Sequence, residues 1–165
     1  MSLTIRPATP SEFAAVGELC VSAYDGLLPH DHFYLEVLRD AATRAADAVL
    51  LVAVDGDQLL GTVTFVPEGG PLSEIATPEE AEFRMLAVSP AAQGRGIGTA
   101  LLQRVLDDSR AAGRTAVVCS SQPSMRAAHT IYTRLGFERL PERDWSPVPD
   151  VDLLAFRVAL TPLSS

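Results

Sequence analysis

One short stretch limits what this chain can fold into more than any other: Gln93-Gly94-Arg95-Gly96-Ile97-Gly98. Before it lies an apolar run from Ala81 to Val88, closed by Ser89-Pro90. After it, Ile97, Leu101 and Val105 share one helical face while Gln103, Asp107 and Arg110 share another, as far as Ala112 and Gly113. The pattern predicts a strand, a tight turn and a helix that Gly113 stops. Glycine lets the backbone bend sharply and approach a ligand closely, and it weakens a helix start unless something uses that freedom. The first helical turn leaves N–H groups unpaired and carries the positive end of the helix dipole. Together with Arg95 these amides make an anion site, most naturally one for phosphate.

Two familiar phosphate binders are excluded. A dinucleotide fingerprint needs glycine at 99 or 101, where Thr99 and Leu101 stand. A P-loop needs lysine, and all 13 basic residues are arginine. The same absence removes Schiff-base chemistry. With 21 acidic residues the net charge is −8, so general electrostatics toward nucleic acid or an anionic membrane is excluded as well. Any positive potential offered to an anion must be local.

At 165 residues and 47% hydrophobic composition, the chain reads as one domain, 1–165, able to bury its own core. Leu3 to Ala8 alternates as a strand. Ser11 opens a helix with Phe13, Val16, Cys20 and Ala23 at helical spacing. Asp25-Gly26 to Pro29-His30 is a break, and Phe33 to Ala46 a second helix. Ala48–Asp55 and Leu59–Val66 read as a hairpin across Asp55-Gly56-Asp57. Pro67 to Pro78 reads as a surface loop. Thr115–Cys119 is a strand, Ser124–Leu135 a helix, Gly136-Phe137 an extended piece, Asp144–Asp150 a loop and Val151–Leu160 the last strand. The fold class is mixed α/β, in the order β-α-α-β-β-β-α-β-α-β-β. Cys20 and Cys119 sit far apart in apolar runs and read as reduced core thiols, and no metal site is expected, His30-Asp31-His32 included. No run approaches ~18 apolar residues and the first residues lack a secretion-signal core, so the expected location is cytoplasmic, with no membrane partner.

Arg84-Met85-Leu86-Ala87-Val88-Ser89-Pro90 followed by Gln93-x-x-Gly96-x-Gly98 resembles the acetyl-CoA motif of the GNAT superfamily of N-acetyltransferases. Ala128-x-x-x-Tyr132-x-x-x-Gly136-Phe137 resembles that family's second signature, at the family's spacing. The resemblance covers Leu3 to Leu160 and implies a sheet splayed between its fourth and fifth strands. It implies acetyl-CoA as cosubstrate, its pantetheine arm against the backbone of Leu86, Ala87 and Val88. It places the diphosphate on the amides of Gly94, Arg95, Gly96, Ile97, Gly98 and Thr99, with Gln93 also counted among the cofactor-binding residues. The early helices and their loop line the acceptor site in the family, which makes Tyr24, Asp25, His30 and Tyr34 candidate acceptor contacts. One departure is Met125, where the family often has Asn.

Acetyl transfer to an amine needs a base for the amine, a donor for the developing oxyanion and an acid for the departing thiolate. The resemblance implies that a backbone N–H near Val88 serves the oxyanion. Tyr132 is the candidate acid, since a phenol of pKa about 10 suits a thiol leaving group. Glu82 is the candidate base, placed on the side of Leu86 and Val88 if the strand stays regular. Arg84 is expected to pair with Glu82 or hold a substrate carboxylate. Trp145 is expected to wall the acceptor pocket or cover the core, and His129 to be an exposed helix residue. The expected reaction is direct attack by a primary amine on acetyl-CoA, with no covalent enzyme intermediate. The alternative is an acyl-CoA-binding sensor of the same fold. The acceptor is a small molecule or peptide amine, nucleic acid is no partner, and a homodimer stays open.

Overall fold

Near-continuous apolar runs such as residues 49–54, which must be buried on both faces at once, produce a central sheet with helices on both sides. The computed structural model of the chain describes residues 2–24 and 32–162. Its sheet has eight strands: β1 (Leu3–Pro7), β2 (Val49–Asp55), β3 (Gln58–Val66), β4 (Glu80–Val88), β5 (Ala116–Ser121), β6 (Glu138–Arg139), β7 (Trp145–Val148) and β8 (Val151–Ala159). Their order is β1-β2-β3-β4-β5-β8-β6, with β7 paired to β8. The helices are α1 (Phe13–Tyr24), α2 (His32–Arg39), α3 (Ala41–Asp47), α4 (Ile97–Ala111) and α5 (Arg126–Arg134).

Two buried clusters fill the layers. Leu51, Ala53, Val63 and Phe83 pack under α4 and α5, against Leu101, Val105 and Tyr132. Leu50, Val52, Val54, Met85 and Ala87 pack under α1 and α2, against Val16, Cys20 and Leu38. The alternation along β2 thus divides its side chains between the two layers.

The structure departs from the sequence reading in two places. The single helix expected over Phe33–Ala46 is two, because Asp40 caps a new start: its carboxylate accepts from the Thr43 amide at 3.2 Å and the Thr43 hydroxyl at 2.7 Å. The loop expected over Asp144–Asp150 contains β7, hairpinned to β8 through Trp145↔Leu153 and Val148↔Val151.

Two irregularities create the site. β4 and β5 run parallel but pair only through Glu80↔Ala116, Ala81↔Val117 and Glu82↔Val118. Beyond Glu82 they part, which is the splay. β4 also bulges: Arg84 faces Thr64 and Ala87 faces Thr62, so Met85 and Leu86 share the space opposite Val63, with Met85 at φ 55°. The extra residue reverses the facing of the strand. Phe83 points to the α4/α5 layer before the bulge, and Leu86 and Val88 point there after it. Met85 and Ala87 point to the α1/α2 layer.

The closed end of the splay is held by Glu80, only 3% exposed. Its carboxylate takes bonds from Arg143, from Arg157 Nε at 2.9 Å and from the Thr77 amide at 3.0 Å. Burial pushes its pKa up, but the bonds from Arg143, the Thr77 amide and Arg157 outweigh burial and bring it down to about 2. A carboxylate lowered on folding stabilises above its unfolded pKa and loses that contribution as pH falls through the folded one. Glu80→Gln should therefore lower stability at pH 7 by roughly 3 kcal/mol. It should also flatten the loss of stability between pH 4.5 and about 2, measured by urea unfolding across that range.

Candidate active site

The residue that sequence reasoning chose as base is the natural starting point, because the bulge moves it. Glu82 precedes the reversal and lies on the opposite face from Leu86 and Val88, which corrects the expectation of a shared face. It is fully buried. Its Oε1 accepts from the amides of Glu74, Ile75 and Ala76, each at 3.0 Å, and from the Ser73 hydroxyl at 3.2 Å. Glu82 pins the segment after β3 to the sheet, and it does not line the cavity described next.

A cavity of about 330 Å³ opens where β4 and β5 part. Phe83, Arg84 and Leu86 of β4 form one wall, and Ser120, Ser121 and Gln122 at the end of β5 the other. Tyr24 and Tyr34 close one side, with Val37; Pro147, Val148, Val151 and Leu153 of the β7/β8 hairpin close another. Met125, Ala128 and Tyr132 of the α5 region complete it. Met125 thus lines the cavity at the position where the resemblance expects Asn.

Glu74 also lines the cavity, presented by the loop that Glu82 pins. Burial raises its pKa above the usual carboxylate value, with Arg84 opposing and Glu82 adding to the rise. Arg84 Nε sits 3.2 Å from Glu74 Oε1, so Arg84 pairs with Glu74 and not with Glu82. Sequence reasoning missed Glu74 because it falls in a Gly/Pro/Ser-rich stretch with no period to place it. The only available signal was a carboxylate eight residues before Glu82, which the sequence alone does not fold back.

Tyr132 is 4% exposed, its ring edge-on to Phe83 at 5.6 Å and to Phe156 at 5.2 Å. Burial pushes its phenol well above 10, and Ser121 and Cys119 are its hydrogen-bonding neighbours. His129 is half-buried, not exposed as expected: its ring lies 5.0 Å from Phe156, and Nε2 is 3.0 Å from the Ser121 hydroxyl. Burial lowers its pKa, so it is largely neutral at pH 7. Trp145 does not line the cavity, but its Nε1 donates to the Ser120 hydroxyl at 3.1 Å and fixes the hairpin that does. Asp25 and His30 lie outside the described residues.

The glycine turn divides its labour. Gly94 (φ 81°) and Gly96 (φ 76°) adopt the left-handed conformation, and a Cβ at either would meet nothing within 4 Å. Gln93 to Gly96 are exposed. Ala100 donates to Gly96 at 2.9 Å, leaving the amides of Ile97, Gly98 and Thr99 as the unpaired start of α4. Gly98 differs from the other two: it is buried, and a Cβ there would stand 2.9 Å from Ile131 Cδ1. Its small size lets α4 approach α5, while its amide stays in the cradle. Among the described residues no three metal-ligating side chains cluster, and no helix is long and apolar enough to cross a membrane.

Both the sequence and the fold have counterparts in known proteins. The family model described as Acetyltransferase (GNAT) family matches residues 13–137. Mycothiol acetyltransferase of Mycobacteroides abscessus is 32% identical over 145 residues, 87% of this chain and 45% of that protein. A protein of Methanocaldococcus jannaschii named as an uncharacterized N-acetyltransferase is 31% identical over 143 residues, 82% of this chain and 60% of that one. The chain spans about half the length of the curated relatives it matches. In structure, a GNAT-family acetyltransferase of Staphylococcus aureus superposes with a TM-score of 0.77 at 15% identity, covering 97% of this chain and 100% of that one. The yncA protein of Salmonella typhimurium, solved with its cofactor acetyl-CoA, superposes at 0.67 with 21% identity, covering 100% and 98%. The mixed sheet, its splay and the match over the two sequence signatures agree: this chain belongs to the acetyltransferase (GNAT) family.

Proposed function

We propose that the chain moves an acetyl group from acetyl-CoA to a primary amine by direct attack, with no covalent enzyme intermediate. The observation that carries this reading is the wedge between β4 and β5, followed directly by a cradle in which Gly94 and Gly96 leave open space. The cradle's backbone amides suit a diphosphate, and Arg95 lies among them. Leu86, Ala87 and Val88 lie on the stretch of β4 that has no pairing with β5, where an extended amide-bearing arm can add as a strand would.

Acetyl-CoA supplies the activated acyl carbon and a thiol leaving group. The acceptor ammonium gives up one proton before it attacks, and Glu74 takes it, since Glu74 is the carboxylate that faces the cavity. The second nitrogen proton goes to solvent, Tyr132 supplies the proton that the departing sulfur takes up, and the cycle closes when the phenolate regains a proton from solvent and Glu74 sheds its own. A phenol raised well above 10 by burial stays protonated and available as a donor. Cys119 is no rival nucleophile: burial, then the nearby Glu82 charge, hold its thiol well above 9 and therefore protonated.

The test is release of free thiol from acetyl-CoA with a panel of primary amines, the acetylated amine being identified by mass. Tight CoA binding with no release across the panel assigns the chain to the sensor reading instead. The base is active when deprotonated, so kcat should rise through an acid limb lying above pH 4.5, because burial raises Glu74. Glu74→Gln should lower kcat about 100-fold and abolish that limb, as read from pH–rate profiles of both proteins.

A further inference from the structure

We propose that Glu74 and Arg84 form a two-point clamp for a free α-amino acid with an apolar side chain, its ammonium on Glu74 and its carboxylate on Arg84. The proposal rests on the acetyltransferase reading and narrows its acceptor.

Glu74 and Arg84 are the only charged residues among those described that line the cavity. They are opposite in sign, 3.2 Å apart, and their side chains are only 20% and 16% exposed. A polyamine or aminoglycoside presents several ammonium groups, each needing its own carboxylate, and the described residues of this lining offer one. A simple monoamine that takes Glu74 leaves the Arg84 guanidinium enclosed without a counter-charge, which is strongly unfavourable. A zwitterion replaces the internal pair with two new charge-assisted contacts and leaves neither charge orphaned.

The other lining residues fit the body of such a molecule. Tyr24, Tyr34 and Val37 face the pair from one side, and Pro147 and Val148 close the hairpin side. The Tyr34 hydroxyl lies close enough to feel both the Arg84 and the Glu74 charge, so the aromatic side of the cavity and the ion pair form one cluster. Val148 is 47% exposed, an apolar residue at the open rim. The volume, about 330 Å³, is at the small end of ligand pockets, which run from roughly 300 to 1,000 Å³, and the thioester end beside Tyr132 shares it, which leaves room for a small acceptor only.

The experiment compares L-leucine and L-phenylalanine with their amides, their decarboxylated amines and spermidine. Thiol release is measured, and binding to the CoA-loaded protein is followed by calorimetry. The clamp predicts kcat/KM and affinity at least tenfold higher for the amino acids than for the amides or amines. Arg84→Gln should erase that preference, raising KM for the amino acids about tenfold and lowering it for the amines, which no longer leave an enclosed guanidinium without a counter-charge. Amides, amines or spermidine performing as well as the free amino acids in the unaltered protein would overturn it. So would an Arg84→Gln effect equal on acids and amines, or a CoA-loaded protein that binds no amino acid. Amino acid binding that depends on Arg84 without any thiol release keeps the clamp and rejects the transferase reading.

Discussion

Gly96→Val should remove coenzyme A binding, raising Kd about 100-fold or more by calorimetry, whereas Gly113→Val should leave it within about twofold. The two sites are matched for strain. Gly96 has φ 76° and Gly113 φ 77°, and a Cβ at either meets nothing within 4 Å. A side chain in the left-handed region costs about 1–2 kcal/mol at both, so thermal unfolding should report similar losses. What differs is the neighbourhood. Gly113 follows the C-terminus of α4, and Gly96 caps its N-terminus, where the amides of Ile97, Gly98 and Thr99 begin the helix. Relief of strain at Gly96 rotates those donors, and the isopropyl group occupies the space a diphosphate would take. Each amide bonded to an anion is worth roughly 1.5–3 kcal/mol, so losing two is enough for the stated change. Equal Kd shifts in the two variants would show that the cradle is only a turn.

Much of this site was legible before any coordinates, and what was missed has a common cause. The turn Gln93–Gly98, the strand before it and the helix after it are local: glycine conformation, apolar period and helix start all lie within a few residues. The spacing of the second signature singled out Tyr132, which lines the cavity. Glu82 was identified as a carboxylate that matters, but its facing was wrong, because one extra residue at Met85–Leu86 reverses the strand and period-2 reasoning assumes there is none. The bulge is set by pairing with β3, a non-local fact. Glu74 was invisible for the same reason. It reaches the cavity because the Glu82 carboxylate gathers the amides of Glu74, Ile75 and Ala76, a contact between a strand and a loop read as mere surface. The division of the second predicted helix at Asp40 is different: a capping Asp stood in the sequence, and the apolar period running through it masked the signal.

Tyr132→Phe should lower kcat by about 100-fold to 1,000-fold while CoA affinity changes less than about twofold. The substitution removes one oxygen and keeps the ring that packs edge-on against Phe83 and Phe156. Loss of a buried hydroxyl's net hydrogen bond costs on the order of 1 kcal/mol, so the variant should fold and show a modest drop in melting temperature. Burial raises the phenol well above 10, which keeps its proton in place across the working range and makes it a weaker acid than a free phenol, so it donates only as negative charge builds on the departing sulfur. An acid that protonates a departing sulfur matters most when that thiolate is a poor leaving group. An acetyl thioester of a more acidic thiol should therefore narrow the gap between variant and unaltered protein, a response that a purely packing role does not produce. The unaltered protein should show no alkaline loss of kcat from this group below pH 10, since the donor is still protonated there. If Tyr132→Phe melts lower but turns over at the same rate with every thioester, the hydroxyl only satisfies Ser121 and Cys119, and the proton for the sulfur comes from solvent.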